Sequence, residues 1–138
     1  MKVTLRKAGK IAFEAETESG HTIITDGSPD NGGKNLGTRP MELLLVGLGG
    51  CSGIDVSLIL EKSRQQVTDC VIEVDAKRAD SIPSVFTDIH LQFTVSGKQL
   101  DEKKVARAVS LSMEKYCSVT RMLEPSVNIT SSFSLVEG

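Results

Sequence analysis

One glycine-rich apolar segment, residues 40–64 (PMELLLVGLGGCSGIDVSLILEKSR), constrains the fold of this chain more than any other part. Apolar side chains occur on every side of the helix that it predicts, so we expect a central helix rather than a surface one. Four internal glycines, Gly47, Gly49, Gly50 and Gly53, each lower helix stability by about 1 kcal/mol relative to alanine. A compensating feature is therefore expected, either the close approach of another helix backbone or a kink near Gly49 and Gly50.

The charged residues of this segment fit a helix. Pro40 suits the first helical position, and Glu42 places a negative charge in the first turn, where the helix dipole stabilises it. Glu42 lies about 13.5 Å along the helix axis from Cys51, so the two side chains cannot touch within one straight helix. Asp55 lies one turn beyond Cys51 and would raise the pKa of that thiol if the two were close. We therefore expect Asp55 to be solvated or paired.

The rest of the chain alternates predicted strands with one further helix. The pattern predicts strands at residues 2–7, 10–17, 21–25, 70–78, 85–95 and 127–136, a glycine-rich loop at 26–38, a second helix at 101–116 and a turn at 122–125. This order predicts a single α+β domain over residues 1–138, in which antiparallel sheets are wrapped around two long helices.

Composition and charge exclude several classes of protein. The 138 residues carry 16 Lys+Arg and 18 Asp+Glu, and the aromatic residues are four Phe and one Tyr, so no nucleic-acid partner is expected. The longest uncharged stretch of the apolar segment, residues 43–54, is too short to span a bilayer, so no membrane partner is expected either. The residues after Met1 lack the apolar core of a secretory signal, and we expect a cytoplasmic protein.

The three cysteines, Cys51, Cys70 and Cys117, are widely spaced and odd in number, which argues against a framework of structural disulfides. The two histidines, His21 and His90, are isolated and no CxxC pair occurs, so neither a metal site nor a cofactor is expected. Each cysteine is then either a buried core residue or a reactive thiol. Cys70 begins a predicted strand and fits the core, whereas for Cys51, in the glycine-rich helix, and Cys117, at the end of the second helix, both a structural and a reactive role stay open.

Three motifs around these two cysteines resemble the OsmC/Ohr family of thiol-dependent hydroperoxide reductases. They are RPMEL at residues 39–43, GGCS at residues 49–52 and EKYCSV at residues 114–119, and the last is typical of one redox-protein branch of that family. The resemblance covers essentially the whole chain. It implies the family's α+β fold, an interlocked homodimer and a role in oxidative-stress defence.

The resemblance also implies a two-cysteine peroxidase reaction. Cys51 would attack an organic or inorganic hydroperoxide and become a sulfenic acid, Cys117 would condense with it to a disulfide, and an external dithiol would reduce that bridge. Cys51 and Cys117 are thus expected to be neighbours in the fold, within reach of a disulfide. Cys70 is expected to lie apart from both.

Two positions depart from the family members that reduce organic peroxides. Met41 follows Pro40 where those members carry a glutamate, and Glu42 comes one place later. The arginine on their N-terminal loop has three candidates here, which are Arg6, Lys10 and Arg39. The displaced acid favours an alternative, a non-enzymatic thiol redox sensor or a small apolar-ligand-binding protein on the same fold, whereas the two cysteines favour the enzyme.

Overall fold

A computed structural model describes all residues from 1 to 138 and has the expected mixed α+β architecture. In chain order the elements are β1 (Val3–Lys7), β2 (Phe13–Thr17), β3 (Thr22–Thr25), a 3₁₀ turn (Pro29–Asn31), α1 (Pro40–Lys62), β4 (Gln66–Arg78), β5 (Phe86–Lys98), α2 (Glu102–Leu111), a π-helical turn (Ser112–Tyr116), α3 (Ser118–Leu123) and β6 (Asn128–Glu137). They form two three-stranded sheets, β1-β2-β3 and β4-β5-β6. The chain divides into two compact units, Met1–Val46 and Gly47–Gly138.

The first unit contains an antiparallel sheet and a loop that is fixed by one buried carboxylate. Asp26 follows β3 and is 2% exposed. Its side-chain oxygens accept hydrogen bonds from the backbone N–H groups of Gly27, Lys34 and Leu36 at 2.8, 3.0 and 3.1 Å. The N–H of Leu36 has the largest effect and lowers the pKa of Asp26. Burial, the next largest effect, raises the pKa, but the N–H groups of Lys34 and Gly27 lower it further, so the net shift is downward. The loop at residues 26–38 is therefore folded around a charged group.

The start of α1 confirms the interpretation of Glu42 as a helix-stabilising acid. Its Oε1 accepts hydrogen bonds from the backbone N–H of Arg39 at 2.8 Å and from the hydroxyl of Thr38 at 3.1 Å. This is the reciprocal half of a capping box, in which the third residue of a helix reaches back to the residue before it. The N–H of Arg39, followed by the Thr38 hydroxyl, lowers the pKa of Glu42.

The second unit is organised around β5, the central strand of its sheet. Every second side chain along it is buried, at Ile89, Leu91, Phe93 and Val95. β4 pairs with β5 antiparallel, as expected, but β6 pairs with β5 in parallel. The expectation of purely antiparallel sheets is therefore wrong for this pair. The reason is the connection, since two helices and a turn lie between β5 and β6, and a crossover of that length joins parallel strands.

Helix α1 packs on this sheet through one stripe, with Leu48, Ser52, Val56 and Leu60 buried at every fourth position. The expectation that the whole helix lies at the centre of the chain is therefore wrong for a single copy. Some of the other side chains stay open to solvent, and Ile54 is 64% exposed. Apolar side chains occur on all sides of the helix, but one sheet can cover only the side that faces it.

The α1 glycines fall into two classes. A Cβ atom at Gly49 would lie 3.1 Å from Cγ2 of Val74, and one at Gly53 would lie 2.9 Å from Cδ1 of Ile72. These two glycines allow close approach to the side chains of β4, rather than to another helix as expected. Gly47 and Gly50 face open space, with no atom within 4 Å of an added Cβ.

By length and composition alone, α1 is also apolar enough to cross a membrane. The helix has 23 residues, and 22% of its most apolar 18-residue window is buried within the chain. The uncharged stretch at residues 43–54 is interrupted by Asp55, and the apolar residues beyond Asp55 lengthen the window that passes this test. Core helices of soluble proteins pass the same test.

Candidate functional site

The second unit brings together the two cysteines that the sequence singled out. Cys51 lies on α1, and Cys117 caps the N-terminus of α3. Sequence analysis extended the second helix to residue 116, but α2 ends at Leu111 and a π-helical turn follows, closed by a bond from the N–H of Cys117 to the carbonyl of Ser112 at 2.8 Å. Such wide turns are frequent at functional sites.

The two thiols form a cluster with one carboxylate. The Sγ atoms of Cys51 and Cys117 and a carboxylate oxygen of Asp55 all lie within 4.8 Å of one another. Both cysteines are free thiols, Cys51 half-buried and Cys117 only 3% exposed. A disulfide has an S–S length of about 2.05 Å, so rotation of the side chains has to bring the sulfurs together. The expected proximity of Cys51 and Cys117 is confirmed, whereas their chemical roles stay a prediction.

Cys117 is surrounded by hydrogen-bond donors. The hydroxyl of Ser52 donates to its Sγ at 3.4 Å, and the backbone N–H of Thr120 donates to it at 3.4 Å. Burial opposes ionisation of Cys117, but the Ser52 hydroxyl together with the side chain and backbone of Thr120 outweighs burial and lowers the pKa of the Cys117 thiol. Cys117 is therefore the sulfur that this site stabilises as a thiolate.

The pKa of the Cys51 thiol is shifted in the opposite direction. Burial raises the pKa of the Cys51 thiol, and its hydrogen bond to Cys117 raises it further, while the backbone N–H groups of Val119 and Ser118 act in the other direction. Two interacting thiols lose their protons in two steps whose pKa values belong to the pair rather than to either residue. The first proton lost leaves a negative charge on Cys117 and a proton on Cys51, which is the more exposed sulfur.

Asp55 is paired rather than solvated. Its Oδ2 accepts a hydrogen bond from the hydroxyl of Ser112 at 3.1 Å, and Ser112 is fully buried. Sequence analysis left both possibilities open for Asp55 and did not identify Ser52, Ser112 or Thr120. A signal existed for Thr120, because a residue three places after a helix N-cap commonly donates its N–H to the cap side chain.

Cys70 lies outside this cluster. It sits on β4 and lines a separate cavity of about 350 Å³ with Val56 and Leu60. Burial, followed by the neighbouring charge of Asp69, raises the pKa of the Cys70 thiol. The raised pKa disfavours the reactive thiolate form. The assignment of Cys70 to the core is wrong, however, because its side chain is only half-buried.

The hydrogen-bond donors to the thiols are neutral hydroxyl and N–H groups. Among the candidates for an activating cation, Arg39 uses its Nη1 to donate to Asn35 Oδ1 at 3.2 Å and to the Gly37 carbonyl at 3.0 Å. Arg39 thus has a structural role in the loop of the first unit.

Comparison with known proteins gives consistent matches over the whole chain. Residues 32–132 match the family model of the OsmC-like protein. Protein YhfA of Escherichia coli (strain K12) is 46% identical over 136 residues, covering 99% of this chain and 98% of YhfA. The crystal structure of a hypothetical protein from Aquifex aeolicus VF5 is 36% identical, with a TM-score of 0.88 over 99% of this chain and 96% of that one. The organic hydroperoxide resistance protein OhrB of Bacillus subtilis is 22% identical with a TM-score of 0.64 over 96% of each chain, a similarity of fold.

Proposed function

Because this chain belongs to the OsmC family, we propose that it is a thiol-dependent hydroperoxide reductase that cycles between a Cys51–Cys117 dithiol and a disulfide. The observation that supports this most is the pair itself, two free thiols within 4.8 Å of each other on different helices. The name of the Bacillus subtilis neighbour, an organic hydroperoxide resistance protein, indicates the substrate class.

In the first step Cys51 attacks the peroxide. Cys51 is the more exposed sulfur, whereas Cys117 is buried and cannot meet a substrate without local opening. The proton of Cys51 passes to the Cys117 thiolate, which leaves a Cys51 thiolate beside the N–H groups of Val119 and Ser118. That thiolate attacks one peroxide oxygen, the O–O bond breaks, and the leaving alkoxide takes up a proton. The products are a Cys51 sulfenic acid and an alcohol.

In the second step Cys117 resolves the sulfenic acid. Its sulfur attacks the sulfur of Cys51, the S–O bond breaks, and the hydroxide leaves as water with the Cys117 proton. An external dithiol then reduces the disulfide through a mixed disulfide and becomes oxidised itself. The short separation of the sulfurs protects Cys51, because a nearby thiol outcompetes further oxidation to the sulfinic acid.

The raised pKa of Cys51 favours a second candidate function, a slow thiol redox sensor on the same fold. Burial leaves little Cys51 thiolate at neutral pH, and the hydrogen-bonding groups around the pair are uncharged. Met41, which stands where family members that reduce organic peroxides carry a glutamate, also favours the sensor. The two functions differ in rate and not in chemistry, since both end in the same disulfide.

A single-turnover experiment tests the proposed function. The reduced protein receives one equivalent of tert-butyl hydroperoxide or hydrogen peroxide, and intact mass is followed over time. We expect the wild type to lose two hydrogens, Cys117→Ser to gain one oxygen, and Cys51→Ser to consume no peroxide. Cys70→Ser is the matched control and should behave as the wild type. Peroxide consumption by Cys51→Ser at the wild-type rate would falsify the assignment, and disulfide formation only over hours would favour the sensor.

A homodimer is part of the proposal. A groove of about 410 Å³ runs along α1 and β4, lined by Gly50, Ile54, Leu58 and Ile72 among others, and Gly50 faces it with no atom within 4 Å of an added Cβ. A second copy whose α1 packs here would bury this surface and fill the space beside the glycine. We expect an obligate interface above about 2,000 Å² in total. Sedimentation of the full-length protein tests this, and a stable monomer would contradict it.

The cytoplasm is the compartment that suits this cycle. Cytoplasmic thiols are kept reduced, which is what three free cysteines and a reaction that regenerates a dithiol require. Fractionation of cells that express the native protein tests this expectation.

A further inference from the structure

Asp55 is a charged group beside the two thiols that the peroxide reaction does not use. Its carboxylate oxygen lies within 4.8 Å of both sulfurs. A negative charge at that distance disfavours a thiolate, so Asp55 opposes the ionisation that peroxide attack needs. A bound cation would reverse this effect, because two thiolates and a carboxylate together attract a divalent metal.

We propose that Cys51, Asp55 and Cys117 form a Zn²⁺ site in the reduced protein. Zinc binds thiolate sulfur at about 2.3 Å and carboxylate oxygen at about 2.0–2.2 Å in a tetrahedral arrangement. Ligand atoms of such a site are therefore roughly 3.5–3.8 Å apart. The three atoms here need to approach by about 1 Å from the observed upper limit of 4.8 Å. That is a smaller movement than a disulfide requires of the same two sulfurs.

The surroundings of the three ligands are those of a supported metal site. Ser112 donates to Oδ2 of Asp55 at 3.1 Å, and Ser52 donates to Sγ of Cys117 at 3.4 Å. Such outer contacts orient ligands and are a regular part of metal sites in proteins. Both serines are fully buried, so these contacts are shielded from water.

Thr120 supplies a second, independent indication of a ligand. Its hydroxyl is buried and makes no hydrogen bond of normal geometry, and its one polar contact is the weak interaction with the Cys117 sulfur that helps to lower the pKa of that thiol. Buried hydroxyls are seldom left without a partner. Three protein ligands leave a fourth zinc position for water, and a water bound there would give the Thr120 hydroxyl an acceptor.

The chemical nature of the three ligand atoms determines which metal ions this site favours. Thiolate sulfur favours zinc and other soft or borderline metals over Ca²⁺ and Mg²⁺, which bind oxygen. Sequence spacing missed this site because two ligands are one helical turn apart on α1 and the third comes from the start of α3. The short spacings that identify zinc motifs in sequences do not describe such a site.

Metal binding and disulfide formation exclude each other, because both use the same two sulfurs. This consequence, unlike zinc binding itself, rests on the proposed function. One hydroperoxide and two protons would convert the zinc dithiolate into a disulfide, one alcohol, one water and free Zn²⁺, with two electrons passing from sulfur to oxygen. Zinc would thus protect the reduced pair, and oxidation would release the metal.

The test uses full-length, reduced, metal-free protein and no peroxide. Zn²⁺ is added in competition with a chromophoric chelator, and bound metal is counted by elemental analysis. We expect one Zn²⁺ per chain, and Co²⁺ should give a thiolate-to-metal charge-transfer band. Asp55→Asn should weaken zinc binding at least tenfold. Asp69→Asn is the matched control, since Asp69 neighbours a cysteine outside the cluster and its loss should leave binding unchanged.

A readout on the thiols keeps the test independent of folding defects. Zn²⁺ should slow the alkylation of Cys51 by iodoacetamide in the wild type and in Asp69→Asn, and have a much smaller effect in Asp55→Asn with an unchanged circular dichroism spectrum. Equal zinc affinity of Asp55→Asn and the wild type would overturn the site, and so would the absence of zinc from the reduced protein. Peroxide consumption is measured separately on metal-free protein, so failure of the zinc site and failure of the peroxidase give different results.

Discussion

Replacing Gly50 with alanine is expected to change the stability of the single chain and the stability of the dimer in opposite directions. In the single chain an added Cβ at Gly50 meets no atom within 4 Å. Alanine should therefore stabilise α1 by about 0.8–1.0 kcal/mol through helix propensity. For a domain of this size that gain corresponds to a rise in Tm of roughly 4 °C.

In the dimer the same substitution is expected to be destabilising. If the α1 helix of a second copy packs against Gly50, an added methyl group overfills a close contact, which costs about 1–3 kcal/mol. The substitution occurs in both protomers, so dimerisation should lose at least about 2 kcal/mol, a roughly thirtyfold weaker dimer. The two protomers together gain about 1.6–2.0 kcal/mol from helix propensity. We expect the loss to exceed this gain, and therefore to see a Tm below that of the wild type at concentrations where both proteins are dimers.

Sedimentation equilibrium and thermal melts at several protein concentrations measure both effects. Gly47→Ala extends the test, since Gly47 also faces open space in the single chain. Arg107→Ala, at an exposed position of α2, is the control for a surface change to alanine. Were Gly50→Ala to raise Tm at every concentration while the dimer dissociation constant stayed the same, the argument that Gly50 serves a helix–helix contact would be refuted.

Two further predictions follow from the hydrogen bonds. Ser52→Ala removes a donor to Cys117, and because such a bond to a charged group contributes about 1.5–3 kcal/mol, the thiolate fraction of Cys117 below its pKa should fall roughly tenfold at this long distance. Thiolate absorbance measures this in the Cys51→Ser background, and an unchanged absorbance would show that Ser52 does not stabilise the thiolate. Asp26→Asn should lower Tm most at neutral pH, because the N–H of Leu36 lowers the folded-state pKa of Asp26 and the resulting stability is lost as pH falls through that value. Melts of both proteins from pH 7 to below pH 4 check this, and a Tm difference that grows on acidification would contradict it.

The sequence predicted best where local signals decide the structure. Helix α1 was expected at residues 40–64 and spans Pro40–Lys62, because a proline, an acidic first turn and a long apolar run are all local features. The strands were likewise found within a few residues of their ends. Glu42 shows the same principle, since its helix-capping contacts involve residues within four positions of it.

Prediction failed where distant residues decide the structure. Residues 112–116 are helical, as expected, but nothing local predicts that the α-helix gives way to a π-helical turn after Leu111. The hydroxyl of Ser112 bonds to Asp55, and the sulfur of Cys117 accepts a bond from Ser52, so contacts with α1 hold the wide turn in place. The parallel pairing of β6 has the same kind of cause, since no local pattern states which neighbour a strand will find.

These same contacts give the two sulfurs different properties. By ending α2 early, the π-helical turn makes Cys117 the cap of α3, where it is buried and accepts hydrogen bonds. Cys51 stays on α1, more exposed but with its ionisation disfavoured. A redox pair needs one sulfur that an oxidant can reach and one that can carry the negative charge between steps. Since each sulfur here meets one requirement, transfer of a proton between them would precede peroxide attack in the proposed cycle, and we expect either sulfur alone to be a poorer nucleophile than the pair.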